Sequence, residues 1–185
     1  MALAFALAAC ARDPFVTSTG AKLVGNWRIE HQVDRVTGTP VSSALAITRT
    51  VANSAVLFPS PAVLQLTCFR RQPIVRLSFP FKVGSNRNSE LAYRFDDKPG
   101  HVAEARFLMD YKTVVIEDPA AVAQFVAELA TSKVFYLHIR SLNAGRSSAE
   151  FQVEGGATAV ETGLADCPVA PAARVAATTA PSSGR

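Results

Sequence analysis

Three histidines are the side chains of this sequence best suited to acid–base chemistry. They are His31, His101 and His138, and no fixed spacing joins them to one another or to cysteines as a metal site requires. His138 is the strongest candidate, because alternation places it on one strand face with Tyr136 and Arg140, where a histidine titrates near neutral pH. The simpler interpretation is a solvated or packed strand residue, since no partner group is clustered with it in the sequence.

The other polar residues form no recognisable catalytic or metal-binding motif. Asp96 and Asp97 form an acidic pair, but the spacing of the acids that follow is not that of an EF-hand loop, which favours an acidic turn. Ser147 and Ser148 could join a histidine in a triad only through a geometry that sequence does not define. Phosphate-loop, dinucleotide, zinc-protease, Cys-x-x-Cys and nucleophile-elbow strings are all missing. We therefore expect a protein that is not an enzyme and uses no metal or cofactor.

The N-terminal apolar run ends in Leu7-Ala8-Ala9-Cys10. This string resembles the lipobox of bacterial lipoproteins, in which the cysteine becomes the lipid-bearing first residue. A short apolar stretch before small residues fits a secretory signal. No Lys or Arg precedes it, so we expect the true start to lie upstream; cleavage by the ordinary signal peptidase or a plain apolar N-terminus are the alternatives. We predict a signal over 1–10, a linker over 11–22, and a lipid anchor at Cys10 in the periplasm or on the outer membrane.

Two further cysteines, Cys68 and Cys167, form an even pair once Cys10 is set aside. In an oxidising compartment, an even pair in a small domain indicates a disulfide. Closing a loop of about 100 residues is expected to stabilise the fold by about 4–5 kcal/mol. Two buried free thiols are the alternative.

Length and composition favour one folded domain with no nucleic-acid partner. The chain has 185 residues and a net charge of +4, without a basic run interleaved with aromatic residues. We predict a single domain over 23–167. The segment 168–185 is rich in Pro, Ala, Thr and Ser without an apolar period, so we predict a disordered tail.

Hydrophobic alternation with a period of two is the main pattern along the predicted domain. It is clear at Leu91, Tyr93 and Phe95, which predicts a half-buried strand. One helix is well marked, because Asp118 can cap it and Pro119 suits its first position. A second, short amphipathic helix is predicted before the last cysteine. The fold class is therefore α+β: a mainly antiparallel sheet with two helices and one disulfide.

Several short strings resemble one family. They are Leu64-x-Leu66-x-Cys68, Tyr93-Arg94-x-Asp96, Phe125-x-x-x-Leu129, Phe151-x-Val153-x-Gly155 and the late Cys167. Together they resemble the periplasmic VMAP-type proteins associated with bacterial type VI secretion, over residues 62–167. The family tends to carry a tryptophan after the Tyr-Arg-x-Asp strand, where this sequence has Phe107. The resemblance implies an α+β envelope domain that is an accessory of a secretion system.

Strand parity predicts an outward face that collects charged and aromatic side chains. Its members are Arg76, Arg94, Asp96, Tyr136, His138 and Arg140. Arginine and tyrosine are enriched at binding hot spots, so this face is the candidate partner-binding surface. A solvated face with cross-strand ion pairs is the alternative. We expect a non-catalytic envelope protein that binds a protein partner; the alternative is a periplasmic small-ligand binder or hydrolase around His138 and Arg140.

Overall fold

The computed structural model describes residues 16–169, which form two antiparallel sheets and two helices. The elements are β1 (Val16–Val24), β2 (Trp27–Asp34), β3 (Pro40–Thr48), β4 (Val51–Asn53), β5 (Ala62–Phe69), β6 (Gln72–Ser78), β7 (Ser89–Phe95), β8 (His101–Ala103), β9 (Arg106–Phe107), β10 (Thr113–Ile116), α1 (Pro119–Leu129), β11 (Val134–Ser141), β12 (Gly145–Gln152) and α2 (Gly156–Gly163). The seven-stranded sheet has the order β1-β2-β3-β5-β6-β10-β9, and the five-stranded sheet has the order β4-β12-β11-β7-β8. The predicted α+β class is confirmed, with two sheets where one was expected.

The N-terminal boundary of the folded part differs from the prediction. Residues 16–22 were predicted as linker, yet they belong to β1, which pairs with β2 at the edge of the seven-stranded sheet. Residues 17–23 of this strand are all exposed, so its sequence shows no inward apolar alternation that would mark a strand. The predicted signal, Cys10 and residues 170–185 of the predicted tail lie outside the described residues.

The core lies between the two sheets and is richest in aromatic rings beneath the five-stranded sheet. Phe95 of β7, Phe135 of β11 and Phe125 of α1 are fully buried, with ring centroids 4.9–5.2 Å apart. Tyr93 joins them at 5.2 Å from Phe125. Edge and tilted contacts of this kind stabilise beyond the area that they bury. The inward residues of β7 and β11 are therefore fixed, and so are the outward residues that alternate with them.

Both ends of α1 have the caps that helix termini require. Oδ1 of Asp118 accepts the backbone N–H of Ala121 at 2.8 Å, and Pro119 follows it, as predicted. At the other end, Nζ of Lys98 donates to the carbonyl oxygen of Glu128 at 3.2 Å and to Oγ of Ser132 at 2.7 Å. A cation at a helix C-terminus is favoured by the helix dipole. Lys98 thus ties the loop after β7 to the helix.

A disulfide joins Cys68 of β5 to Cys167 just after α2, as predicted, with a Cα–Cα distance of 5.9 Å. Two other contacts hold α2 on the seven-stranded sheet. A Cβ at Gly163 would lie 2.7 Å from the Cβ of Ala44, so only glycine permits this approach. Oδ2 of Asp166 accepts the backbone N–H of Ser42 at 2.7 Å.

Removing the disulfide is expected to lower the free energy of unfolding by about 4–5 kcal/mol, because it frees a long loop in the unfolded chain. The bond spans a sequence separation of 99 residues. The variant is Cys68→Ser/Cys167→Ser, measured by urea denaturation followed by the fluorescence of the buried Trp27. The single variant Cys68→Ser should lower the free energy of unfolding by nearly the same amount, since it breaks the same bond. Two free thiols in the native protein under non-reducing mass spectrometry would contradict the assignment.

Candidate functional site

An open groove crosses the outer face of the five-stranded sheet, and we call it the outer groove. Its floor is one row of cross-strand neighbours, mostly with small side chains. The row runs Ala52, Ser148, His138, Ala92 and Val102 across β4, β12, β11, β7 and β8. Because small side chains occupy this row and larger ones the rows beside it, a depression of about 650 Å³ is left open to solvent.

One wall of the outer groove is the next row of the sheet. Tyr136 of β11 pairs with Arg94 on one side and with Glu150 on the other. The guanidinium carbon of Arg94 lies 5.1 Å from the centroid of the Tyr136 ring. This is a cation–π contact, which orients the guanidinium across the aromatic face. Arg94 is nevertheless exposed, so its donors stay available to a ligand.

The outer groove is cationic. Arg49 and Arg146 line it together with Arg94, and Glu150 is the one carboxylate among its lining residues. Burial lowers the pKa of His138 below its usual value, and the positive charges of Arg140 and Arg146 lower it further, against a small opposing effect of Glu90. His138 is therefore neutral at pH 7. The groove thus offers guanidinium donors and an aromatic ring above a floor of small side chains, a combination that suits an anionic ligand with an apolar part.

The structure brings three of the predicted partner-binding residues together. Arg94, Tyr136 and His138 all line the outer groove. Arg140 lies on the same face of β11 but one row further, between Glu90 and Arg146, where it lines a neighbouring depression. The alternative site around His138 and Arg140 is therefore divided between two depressions.

Two predicted residues do not share this face, and the prediction of one common surface is wrong for them. Arg76 lies on β6 in the seven-stranded sheet, where it pairs with Gln65 and Val115. Asp96 lies beyond the end of β7 in a left-handed turn with φ of 46°. The alternation of side chains along a strand shows on which side of that strand a residue lies, but it does not show which sheet the strand joins. Beyond the end of a strand the alternation no longer applies.

The carboxylate of Asp96 has a structural role. Its Oδ1 accepts the backbone N–H of Val134 at 2.8 Å and that of Lys133 at 3.1 Å. Burial alone would raise the pKa of Asp96, but the hydrogen bonds from Val134 and Lys133 outweigh it and hold the pKa below its usual value. Asp96 therefore fixes the start of β11, the strand that carries Tyr136 and His138.

A histidine–carboxylate contact at the rim of the outer groove was missed by the sequence analysis. Nε2 of His101 lies 2.9 Å from Oε1 of Glu128, which is within ion-pair distance although the two atoms do not have hydrogen-bond geometry. Nδ1 of the same ring lies 3.1 Å from Nε2 of Gln124. Burial and the charge of Glu128 raise the pKa of Tyr93, which packs on the His101 ring, to about 12. Both ring nitrogens of His101 thus face protein groups. No motif links residues so distant in sequence.

Within residues 16–169, no group of three or more His, Cys, Asp or Glu side chains could hold a metal ion. In the same range, no helix has the length and apolar character needed to cross a membrane.

No protein family, curated protein or solved structure matches this chain. Function is therefore inferred from the residues of the chain itself.

Replacing Asp96 by alanine is expected to lower the free energy of unfolding by about 1–3 kcal/mol, because two backbone N–H groups lose their acceptor and alanine is strained at the positive φ of this residue. Asp96→Asn is the matched control, since its amide oxygen still accepts and asparagine tolerates a positive φ. Urea denaturation of both variants measures the difference. An alanine variant as stable as the wild type would show that this carboxylate does not fix the start of β11.

Proposed function

We propose that this chain is a non-catalytic binding protein of the bacterial cell envelope, and that its outer groove holds an acidic segment of a partner protein. The observation that carries the proposal is the stacking of Arg94 on Tyr136 beside a groove that Arg49 and Arg146 also line. Charge-assisted hydrogen bonds to guanidinium groups are among the strongest that a surface can offer a carboxylate.

The shape of the outer groove suits an extended segment. The alanines and serine of its floor allow a peptide backbone to approach the sheet closely, while Val102 and the ring of Tyr136 offer apolar contact to its side chains. The positive charges of Arg94 and Arg146 then favour an acidic segment over a neutral or basic one. Aromatic and arginine anchors of this kind dominate binding energy at protein interfaces.

The extracytoplasmic setting is supported by the disulfide between Cys68 and Cys167, since structural disulfides persist in oxidising compartments. Lipid attachment at Cys10, location in the periplasm or on the outer membrane, and an accessory role in type VI secretion stay predictions from the sequence. Each is compatible with a binding protein whose partner is another envelope protein.

The absence of catalysis is supported by the surroundings of the two groove histidines. His101 is directed to Glu128 and Gln124, and His138 stands between Ala92 and Ser148 near two arginines that disfavour its protonated form. A small anionic ligand is the second candidate for the same groove, because a volume of about 650 Å³ lies in the range of small-molecule sites.

An acidic peptide is expected to bind in the outer groove and to depend on Arg94. The probes are three fluorescein-labelled peptides of equal length: one rich in Asp and Glu with one aromatic residue, its Asn and Gln counterpart, and a basic counterpart. Fluorescence polarisation should detect binding of the acidic peptide alone. Arg94→Glu should weaken it by about tenfold or more, since it removes an attraction and adds a repulsion.

The matched control is Arg76→Glu, which makes the same charge change on an exposed residue of the other sheet. It should leave binding within about twofold of the wild type, as expected of a distant surface charge. Equal binding of the acidic and neutral peptides, or an equal loss in both variants, would refute the groove as the site. Competition by a small carboxylate such as benzoate tests the second candidate.

Binding of the acidic peptide is expected to strengthen as pH falls from 7.5 to below the usual range of a histidine pKa. His138 has a lowered pKa, so it gains its proton only below its usual value, and this proton adds positive charge to the groove floor. The same lowered pKa means that the free protein loses stability as pH falls through this window. In His138→Gln the pH dependence of binding should be smaller; His101 lines the groove in both proteins, so the difference between their profiles reports on His138. Identical pH profiles for the two proteins would contradict a role of His138 in the groove.

A further inference from the structure

Four loops of the chain meet beside a second depression of about 740 Å³. They are residues 54–61, 79–88, 108–112 and 142–144, and we call them the loop cluster. Val56, Phe81, Met109 and Ala144, one from each loop, line the depression. Backbone hydrogen bonds link the loops: the N–H of Val83 donates to the carbonyl of Tyr111 at 2.8 Å.

The loop cluster carries half of the large hydrophobic side chains that are exposed in the described part of the chain. Ten large hydrophobic side chains are exposed between residues 17 and 169, and five of them lie on these loops. They are Leu57 at 91 %, Phe58 at 90 %, Leu142 at 88 %, Met109 at 86 % and Tyr111 at 41 %. Scattered exposed hydrophobics need no explanation, but a concentration of this kind marks an interaction site.

Cations are exposed on two of the same loops. Lys82, Arg87 and Lys112 are exposed on the same loops, and Nζ of Lys82 lies 5.8 Å from the centroid of the Tyr111 ring. The acid of this region, Asp110, uses its carboxylate within the turn, where it accepts the backbone N–H groups of Lys112 and Thr113 and the hydroxyl of Thr113. The outward charge of the cluster is therefore positive.

Projecting apolar side chains on loops that also carry exposed Lys and Arg match the interface of an anionic bilayer. The apolar side chains enter the boundary between headgroups and acyl chains, while the cations contact lipid phosphates. Lys and Arg also fit this boundary, because their apolar stems can lie along the acyl chains while their charged ends stay at the headgroups. A protein hot spot would instead favour side chains set in packed pockets, whereas Leu57 and Phe58 are about nine-tenths exposed.

Three of the four loops are also held by hydrogen bonds before any contact is made. Oδ1 of Asn86 accepts the backbone N–H of Phe107 at 2.6 Å, and the carbonyl of Asn88 accepts that of Leu142 at 3.1 Å. Preformed loops reduce the ordering cost of binding. We propose that the loop cluster docks on the surface of an anionic lipid bilayer, with Leu57, Phe58 and Met109 inserted. This goes beyond the proposed function and requires neither a lipid on Cys10 nor a ligand in the outer groove.

The test is flotation of the full, non-lipidated chain with vesicles of equal parts phosphatidylglycerol and phosphatidylcholine, and with vesicles of phosphatidylcholine alone. The protein should float with the anionic vesicles and not with the neutral ones. Leu57→Ser/Phe58→Ser should lower the partition coefficient by about tenfold or more, because the variant lacks the two apolar side chains that insert into the bilayer. Lys82→Glu/Arg87→Glu should lower it similarly.

Leu23→Ser/Val36→Ser is the matched control, since it removes two exposed apolar side chains outside the loop cluster, and its flotation should equal that of the wild type. Arg94→Glu should also float normally, which separates this proposal from that for the outer groove. Circular dichroism verifies that each variant is folded.

A second readout is the emission of Phe58→Trp, which should shift to the blue with anionic vesicles. Trp27 is fully buried, so its emission should not change with vesicles, and the shift relative to the wild type reports on the new indole. No flotation of the wild type, equal flotation with neutral vesicles, or unchanged flotation of the double serine variant would overturn the proposal. Burial of Phe58 by another protein without vesicle binding would overturn it too, and would assign the cluster to a protein partner.

Discussion

The contact of Phe125 with Phe95 and Phe135 is the interaction on which the outer groove depends. These rings fix α1 beneath the five-stranded sheet and fix which residues of β7 and β11 point inward. A slip of one residue in β11 would exchange its two faces, burying charged and polar groups and exposing aromatic rings. The outward positions of Arg94 and Tyr136 are thus a consequence of burying Phe95 and Phe135.

The two sheets are joined by contacts that hold this arrangement together. The indole of Trp27 donates to the carbonyl of Val153 at 3.1 Å, which links the seven-stranded sheet to the end of β12. At the same seam, Gly25 adopts φ of 56°, and a Cβ there would clash with the carbonyl oxygen of Glu154. Glycine is needed both for the positive φ and for the close approach. Where the chain passes from β3 to β4, the hydroxyl of Thr48 donates to the backbone carbonyl oxygen of Glu150.

Prediction from the sequence was correct where a local pattern has one structural solution. The Asp118 cap and the alternation at Leu91 and Phe95 each specify their element without knowledge of the rest of the chain. It failed where position depends on distant pairing, as for Arg76, whose strand joined the other sheet. The outer groove belongs to this second class, because its floor of small residues exists only once five strands are in register.

The outer groove and the loop cluster are connected through one short strand. β4 places Ala52 on the groove floor, and its last residue, Asn53, donates from Nδ2 to Oγ of Ser147 at 2.8 Å. Oδ1 of Asn53 then accepts the backbone N–H of Ala55 at 2.7 Å, which turns the chain toward Leu57. A partner segment held in the groove would therefore lie close to the surface on which the loops dock. Arg49, Arg94 and Arg146 in the groove and Lys82, Arg87 and Lys112 on the loops make both surfaces cationic, so each favours an anionic partner.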